Sequence, residues 1–502
     1  MDFETVIGLE VHAQLLTRSK MFCRCGADYA NASPNTRVCP VCLGMPGVLP
    51  TINRQAVAFT IMTGLALNCT IATDTKFDRK NYPYPDLMKG YQISQFDAPI
   101  AKGGFLEIEV AGERKKIGIT RVHLEEDVAK LIHREAIGES YSLMDVNRAG
   151  VPLMEIVGEP DLRSPEEARE YLIKLHSILQ YLGVSTGNME EGSFRCDANI
   201  SIRPRGTSEL SGKVEVKNMN SFRAVQHALQ FEEVRQRKMA AEGQRLVQET
   251  RGWVEEKGET VSQRSKEYAH DYRYFPEPDL PPLVLSREWV SEIESTLPEL
   301  PEARRGRFMR EYGLPRYDAD LLVGDRDLAE FEEDFINIAP KAPVASVEGD
   351  AELSIRPITE IAKIGSNWLL GEVSSISNAN NISISEFRKK VSPEKLYDLT
   401  MLVRKGEITG TAAKTVLGEM FKTGKGATEI VAEQGLGQIS DSDAIVAAAR
   451  AAIAASPGAV ADYKAGKETA IRFLVGQVMK ATRGRANPQM VMSELAKLLK
   501  EG

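Results

Sequence analysis

No apolar run in this 502-residue sequence is long enough to cross a bilayer; the nearest, from Ala444 to Ala455, is broken by Arg450. The first residues, Met-Asp-Phe-Glu-Thr-Val, are acidic and enter a strand-like pattern at once. They are unlike a secretory signal or an Arg-rich transit peptide, so a cytoplasmic protein without a membrane partner is expected. Cysteine is scarce, six in all, and with four of them grouped as if for a metal this usage argues for a reducing compartment. An excess of positive charge is also missing. A net charge of −8 speaks against a general nucleic-acid binder, although a global balance can hide a local basic face. Neither G-x-x-x-x-G-K-[ST] nor G-x-G-x-x-G occurs, so any nucleotide is held without a P-loop.

What the chain does have is a pair of cysteine pairs, Cys23-Arg-Cys25 and Cys39-Pro-Val-Cys42, the second running into Leu43-Gly44-Met45-Pro46-Gly47. Two tight pairs divided by a short loop are what one tetrahedral Zn²⁺ requires, each pair supplying two thiolates from one turn. The competing account is buried free thiols, since Cys packs like a small hydrophobe. No His or carboxylate between the pairs offers an open position, so the expected zinc is structural.

Length and an ordinary globular composition allow two to four domains. Short alternating segments separated by turn signals run through about the first 290 residues, which reads as β-rich α+β. The prolines of Phe275-Pro276-Glu277-Pro278-Asp279-Leu280-Pro281-Pro282 should stop regular structure. Beyond them, Glu302 to Tyr312, Asp325 to Ile338 and Ile358 to Glu372 carry helical spacing, and Ser392-Pro393-Glu394-Lys395 opens a helix with Pro in its first turn. Lys405-Gly406-Glu407 resembles a boundary. Three domains are expected: 1–292, β-rich; 293–405, helical; and 406–502, a small, mostly helical tail.

Strand alternation carries the functional argument. Along Val6 to His12, Leu9 and Val11 share one face while Glu10 and His12 share the other. His123, Glu125 and Asp127 fall on one face of their segment, and Arg195, Asp197, Asn199 and Ser201 on one face of theirs. Glu155 is the only charge on the apolar run Val151 to Val157. For any single strand a solvated polar face explains the pattern, but a lone carboxylate on a buried strand is costly unless paired or metal-bound. Carboxylates from several strands with one imidazole suit a hard cation such as Mg²⁺, the usual partner of phosphoryl transfer.

Several long motifs then resemble one family, the B subunits of the glutamyl/aspartyl-tRNA amidotransferases. They include Ile7-Gly-Leu-Glu10-Val-His12, Cys39-Pro-Val-Cys42-Leu-Gly-Met-Pro-Gly47, Phe77-Asp-Arg-Lys80-Asn-Tyr82 and His123-Leu-Glu125-Glu126-Asp127. Others are Phe194-Arg195-Cys-Asp197-Ala-Asn199, Val216-Lys217-Asn218 and Arg273-Tyr-Phe-Pro-Glu277-Pro-Asp279. The resemblance implies a β-rich cradle, a helical domain and a tail domain that touches tRNA. It further implies a heterotrimer, completed by an amidase (glutaminase) partner and a small third partner, that acts on misacylated tRNA(Gln) or tRNA(Asn). ATP would phosphorylate the side-chain carboxylate, and ammonia from glutamine would displace the phosphate. By the same resemblance His12, Glu125 and Glu155 occupy Mg²⁺ positions, with Glu10 and Asp197 as neighbours or a second metal site. Lys80 and Tyr82 would line the ammonia route. Some members lack the cysteines; this chain keeps all four, so a zinc-bearing version is expected.

Two other readings stay open on sequence alone. Lys464, Lys467, Arg472, Lys480, Arg483 and Arg485 crowd one stretch of the tail, as a non-catalytic, zinc-stapled RNA-binding scaffold would require, or as a solvated helix face would show. A metal-dependent hydrolase could use the same acids. ATP dependence separates the three, because only the amidotransferase needs ATP and aminoacyl-tRNA.

Overall fold

The computed structural model describes residues 2–136, 139–209, 211–265, 272–338, 358–437, 442–465, 467, 469–482 and 485–501. It has the α+β organisation expected from the sequence and divides into two compact units, one ending at Pro301 and one beginning at Glu302.

The first unit is built on strands β1 (Phe3–Gln14), β2 (Thr70–Ile71), β3 (Asp74–Thr75), β4 (Asp78–Asn81), β5 (Tyr91–Ser94), β6 (Ala101–Val110), β7 (Glu113–Glu126) and β8 (Lys130–Ala136). They are followed by β9 (Glu139–Asp145), β10 (Pro152–Gly158), β11 (Phe194–Pro204), β12 (Val214–Lys217), β13 (Glu249–Val254), β14 (Glu259–Ser265), β15 (Phe275–Pro276) and β16 (Leu283–Val284). Nine of them form one sheet in the order β14-β13-β12-β11-β1-β10-β7-β6-β2. A three-stranded sheet, β15-β4-β5, and the pairs β16-β3 and β8-β9 complete the unit. The proline-rich segment is therefore not wholly irregular. Pro276 sits in β15, an edge strand of its sheet, where a missing N–H is tolerated, and Phe275 pairs with Arg79 of β4.

Period-two alternation decides what each face of the large sheet does. Ile7, Leu9, Val11, Cys196, Ala198, Met154, Ile156, Val122 and Leu124 join one buried cluster. Helices Arg54–Ala66, Pro165–Tyr181 and Phe222–Ala241 pack on this side. Each helix starts from a side-chain cap: Asn53, Ser164 and Ser221 accept from backbone N–H groups of the first turn. Burying each large aliphatic side chain here stabilises the unit by about 1.5–3 kcal/mol. The opposite face is left to the polar residues of the same strands.

The second unit is helical. Pro301–Glu311, Arg326–Ile338 and Ile358–Trp368 fall where helical spacing is read, and Ser392 caps Pro393–Arg404. The boundary expected at 405/406 differs from the structure. Gly406 adopts a left-handed turn, but Ile408, Ala413, Val416, Leu417, Met420 and Ile430 pack in the same core as Phe335, Leu396 and Leu399. A separate core, with Ile445, Leu474, Val478, Val491 and Leu495, belongs to the last helices. Among the described residues no single helix is long and apolar enough to cross a membrane.

Candidate active site and metal centres

Register places four polar side chains in a row across adjacent antiparallel strands. Arg195 of β11 lies opposite His12 of β1, His12 opposite Glu155 of β10, and Glu155 opposite His123 of β7. Glu125 stands two residues further along β7, on the same face. Nε2 of His12 lies 3.6 Å from Glu125 Oε1 and 3.5 Å from Glu155 Oε2, and Nε2 of His123 lies 3.3 Å from the same Glu155 oxygen. Ligand atoms of His12, Glu125 and Glu155 all lie within 4.8 Å of one another. One imidazole and two carboxylates at that spacing fit a cation held at roughly 2.0–2.6 Å from each.

The electrostatics of this group follow from burial opposed by partners. Glu155 is buried, which disfavours its charge, yet the facing His123 and His12 hold it well below the usual carboxylate range. Burial pushes the His12 imidazolium down, but the hydrogen bond and charge of Glu155, then the charge of Glu125, carry it up from 6.5 to about 9. Glu125 also accepts from Ser94 Oγ of β5 at 3.4 Å.

Two permanent cations flank the group. Lys80 of β4 is opposite Gln92 of β5, two positions from Ser94, so its side chain shares the face that looks onto Glu125. Burial works against its charge, while Glu125, Tyr274 and Glu155 raise it. Nζ lies 4.9 Å from the centre of the Tyr272 ring. Nη2 of Arg195 is ion-paired with Asp127 Oδ1 at 3.2 Å. Asp127, fully buried just past the end of β7, also accepts from Gln14 Nε2 at 2.6 Å and from the Val128 N–H at 2.9 Å. Arg195 and Arg148, helped by these bonds, hold it below the ordinary aspartate range against its burial.

The remaining residues singled out in the sequence are placed differently. Glu10 and Asp197 face each other two residues along the sheet from His12 and Arg195, but Glu10 accepts from Asn199 Nδ2 at 2.9 Å and Asp197 is ion-paired with Lys217. They are outside the group of converging ligand atoms. Tyr82 stacks on Tyr84 at 5.6 Å and meets Tyr272 edge-on at 5.9 Å. In the tail, Lys464, Arg472 and Lys480 are at least partly exposed, Lys467 pairs with Asp462 at 3.0 Å, and Arg485 donates from Nη1 to the Gly435 carbonyl at 2.8 Å. Arg483 lies outside the described residues. His123 and Arg195 were visible in the sequence as members of polar faces, but only the strand order sets them beside Glu155 and His12.

The four sulfurs of Cys23, Cys25, Cys39 and Cys42 also lie within 4.8 Å of one another, a second group able to hold a metal ion. The Cys39 N–H donates to Cys42 Sγ at 3.1 Å, and successive turns close Leu43 onto Cys39 and Gly44 onto Val41. The hydrogen bond with Cys23, the Cys39 N–H and the Lys20 charge outweigh burial and hold Cys42 down at about 5, whereas burial and the neighbouring sulfurs push Cys25 up to about 11. Gly44 has φ +66°, and a Cβ there would meet Lys89 Cγ at 2.5 Å. This close approach seats the cysteine turn against Lys89, which is ion-paired with Glu126. A cavity of about 230 Å³ lies there, lined by Cys23, Cys42, Arg79, Lys89, Tyr91 and Glu126. Glu126 points away from Glu125 by strand alternation, and Arg79 is held by both oxygens of Glu277 at 2.6 and 2.7 Å.

A nine-stranded sheet with a carboxylate–imidazole centre on its polar face and a four-thiolate centre beside it defines a sheet protein with two candidate metal sites. The chain belongs to the GatB family: residues 5–291 match the GatB/GatE catalytic domain and residues 356–499 the GatB domain. It is 60% identical over 501 residues to a protein of Dehalococcoides mccartyi (strain CBDB1), covering 100% of this chain and 99% of that one. Identity is 54% to a protein of Thermomicrobium roseum and 53% to one of Moorella thermoacetica, covering 100% of this chain in both cases and 99% and 100% of theirs. All three relatives are named as the B subunit of an aspartyl/glutamyl-tRNA(Asn/Gln) amidotransferase.

Proposed function

We propose that this chain is the component of a cytoplasmic heterotrimeric tRNA amidotransferase in which the side-chain carboxylate of Glu-tRNA(Gln) or Asp-tRNA(Asn) is phosphorylated and amidated. The convergence of His12, Glu125 and Glu155 from three adjacent strands, beside two fixed cations, supports it most directly. The comparisons add support through the names of relatives that match along the whole chain. A carboxylate is a poor electrophile, and an oxygen of that carboxylate attacks the γ-phosphorus of ATP to gain a leaving group. The new C–O–P linkage forms as the bond from the γ-phosphorus to the bridging oxygen breaks, and the electron pair leaves with ADP. Ammonia nitrogen then adds to the acyl carbon. The acyl C–O bond breaks with its pair going to phosphate, and a proton from nitrogen leaves with the phosphate or with solvent.

His12, Glu125 and Glu155 would hold Mg²⁺, which when bound would supply positive charge beside the reacting anions. Glu10 and Asp197 border that centre. Ammonia, released from glutamine by the amidase partner that the small third partner braces, arrives past Tyr82 and Lys80, where a fixed ammonium admits the neutral molecule and repels its protonated form. Cys23, Cys25, Cys39 and Cys42 would hold a structural zinc, which would fix the turn that backs Lys89 and Glu126. Lys464, Arg472 and Lys480 contact tRNA away from the reacting end. The test is to assemble the chain with its partners and supply ATP, glutamine and each misacylated tRNA. Glu125→Gln and Glu155→Gln should abolish amide formation and leave tRNA binding nearly intact; ATP-independent product, or near-normal activity of both variants, would overturn the reading.

A further inference from the structure

Asp127 is met by two guanidinium groups, those of Arg148 and Arg195. Arg148 approaches Oδ1 at 3.6 Å, while its Nε and Nη2 donate to the carbonyls of Val128 and Ala129 at 2.9 and 3.0 Å, so this arginine is taken up in holding the turn after β7. Nη2 of Arg195 reaches the same Oδ1 at 3.2 Å, and Arg195 stands on the polar face of the sheet, one strand from His12. Its guanidinium is only partly exposed; it shares Asp127 with Arg148, which also faces Asp86, and its remaining carboxylate neighbour is Glu125.

On the β4 side stands Lys80, half-buried against the Tyr272 ring and, among the described residues, near Glu125 and Glu155 but hydrogen-bonded to no carboxylate. Its charge is felt by both Glu125 and Glu155, as that of Arg195 is felt by Glu125. A divalent cation on Glu125 and Glu155 would cancel their two negative charges. Lys80 would then be an uncompensated cation, and Arg195 one whose only close carboxylate, Asp127, is shared with Arg148, in a partly desolvated place, an arrangement that favours an anion between them. Positive groups fixed in advance around the transferring group are what phosphoryl transfer requires, because negative charge spreads over its equatorial oxygens.

We infer that Arg195 and Lys80 form a two-cation clamp for the phosphoryl group beside the His12–Glu125–Glu155 centre, with Asp127 positioning the guanidinium. The inference rests on the phosphoryl-transfer reading above and adds to it the residues that bind the transferred group. Arg195 presents a planar fork to two phosphoryl oxygens, which a lysine cannot reproduce, whereas Lys80 acts as a point charge.

The probe is inorganic phosphate, the form in which the transferred group departs. Its binding to the assembled complex with Mg²⁺ is read by ³¹P line broadening at constant ionic strength, without turnover. Arg195→Gln and Lys80→Gln should each weaken phosphate binding about tenfold or more and lower kcat for ADP formation by about 10²–10³, with KM for charged tRNA within about twofold of wild type. Arg195→Lys should recover thermal stability but little of kcat, and guanidinium added to Arg195→Ala should restore part of it. Asp127→Asn should lower kcat with the tRNA KM unchanged. Phosphate binding within about twofold of wild type in both Gln variants would overturn the clamp. So would an Arg195→Lys enzyme with full activity, or losses that merely track a fall in melting temperature. Because phosphate binding needs no turnover, it decides the clamp separately from the amidation assay, on which the functional reading itself stands or falls.

Discussion

Replacing Glu155 by Gln perturbs the candidate cation site with the least change of shape. In the cation-free protein burial opposes a charged His12, but Glu155 and then Glu125 overcome it and lift the imidazole from 6.5 to about 9. At about 1.4 kcal/mol per unit this is roughly 3 kcal/mol of preference for the protonated ring in the folded state. The sign follows from the direction: the stabilisation is fully present below pH 6.5 and is lost as pH rises through about 9. A cation that takes Nε2 must displace that proton. Mg²⁺ binding at about pH 7.5 should then release close to one proton, and apparent affinity should climb about tenfold per pH unit until the release fades near pH 9. Glu155→Gln removes both the main upward influence on His12 and an anionic ligand. Proton release should fall to a small fraction, and affinity by at least about 100-fold, more than the loss of a ligand-orienting partner usually costs. Calorimetry in two buffers of different ionisation enthalpy measures both quantities. Wild-type proton release and affinity in the variant would refute the assignment of Glu155 to the cation and to His12.

Metal analysis should find one Zn²⁺ per chain, lost together with several degrees of thermal stability in a Cys39→Ser/Cys42→Ser variant; metal-free protein with four titratable thiols would contradict this. Removing residues from 442 onward should raise the KM for charged tRNA and flatten its salt dependence, because fewer phosphate contacts release fewer counterions. An unchanged salt slope would mark the tail as a spacer. Cutting at Gly406 instead should unfold the helical core, since Val416, Leu417, Met420 and Ile430 would be stripped from it. Glu332 is buried opposite Gly365, and burial pushes its carboxyl well above the usual range. Stability of the helical unit should therefore fall as pH rises above about 4.5, and Glu332→Gln should flatten that dependence in pH-dependent urea unfolding.

Much of the site was legible along single strands. Alternation put Glu10 with His12 and set Glu155 alone on an apolar run, because side-chain direction in a strand is a local property. The cysteine pairs were legible for the same reason, each being one turn. Strand order is not local. That β1 lies between β11 and β10, with β7 next, depends on pairings between segments far apart in the chain, and these pairings bring Arg195 and His123 into the row with His12 and Glu155. The same ordering leaves Glu10 and Asp197 to Asn199 and Lys217. Helix starts at Ser392 and near Glu302 were visible because capping and Pro chemistry are local, whereas the turn at Gly406 carried the signal of a boundary while the core ran past it. The tail cluster read as either an RNA-contacting patch or a solvated helix face; in the structure Lys467 makes an exposed ion pair with Asp462, and Arg485 donates to the Gly435 carbonyl.

The central claim is that the side-chain carboxylate accepts the phosphoryl group at the His12–Glu125–Glu155 centre. Misacylated tRNA labelled with ¹⁸O in that carboxylate, given ATP and glutamine in the assembled enzyme, tests it directly. Mass spectrometry of the released inorganic phosphate should find one ¹⁸O for each amide formed, with label transfer lost in Glu125→Gln. Unlabelled phosphate accompanying amide formation at the normal rate would contradict the account.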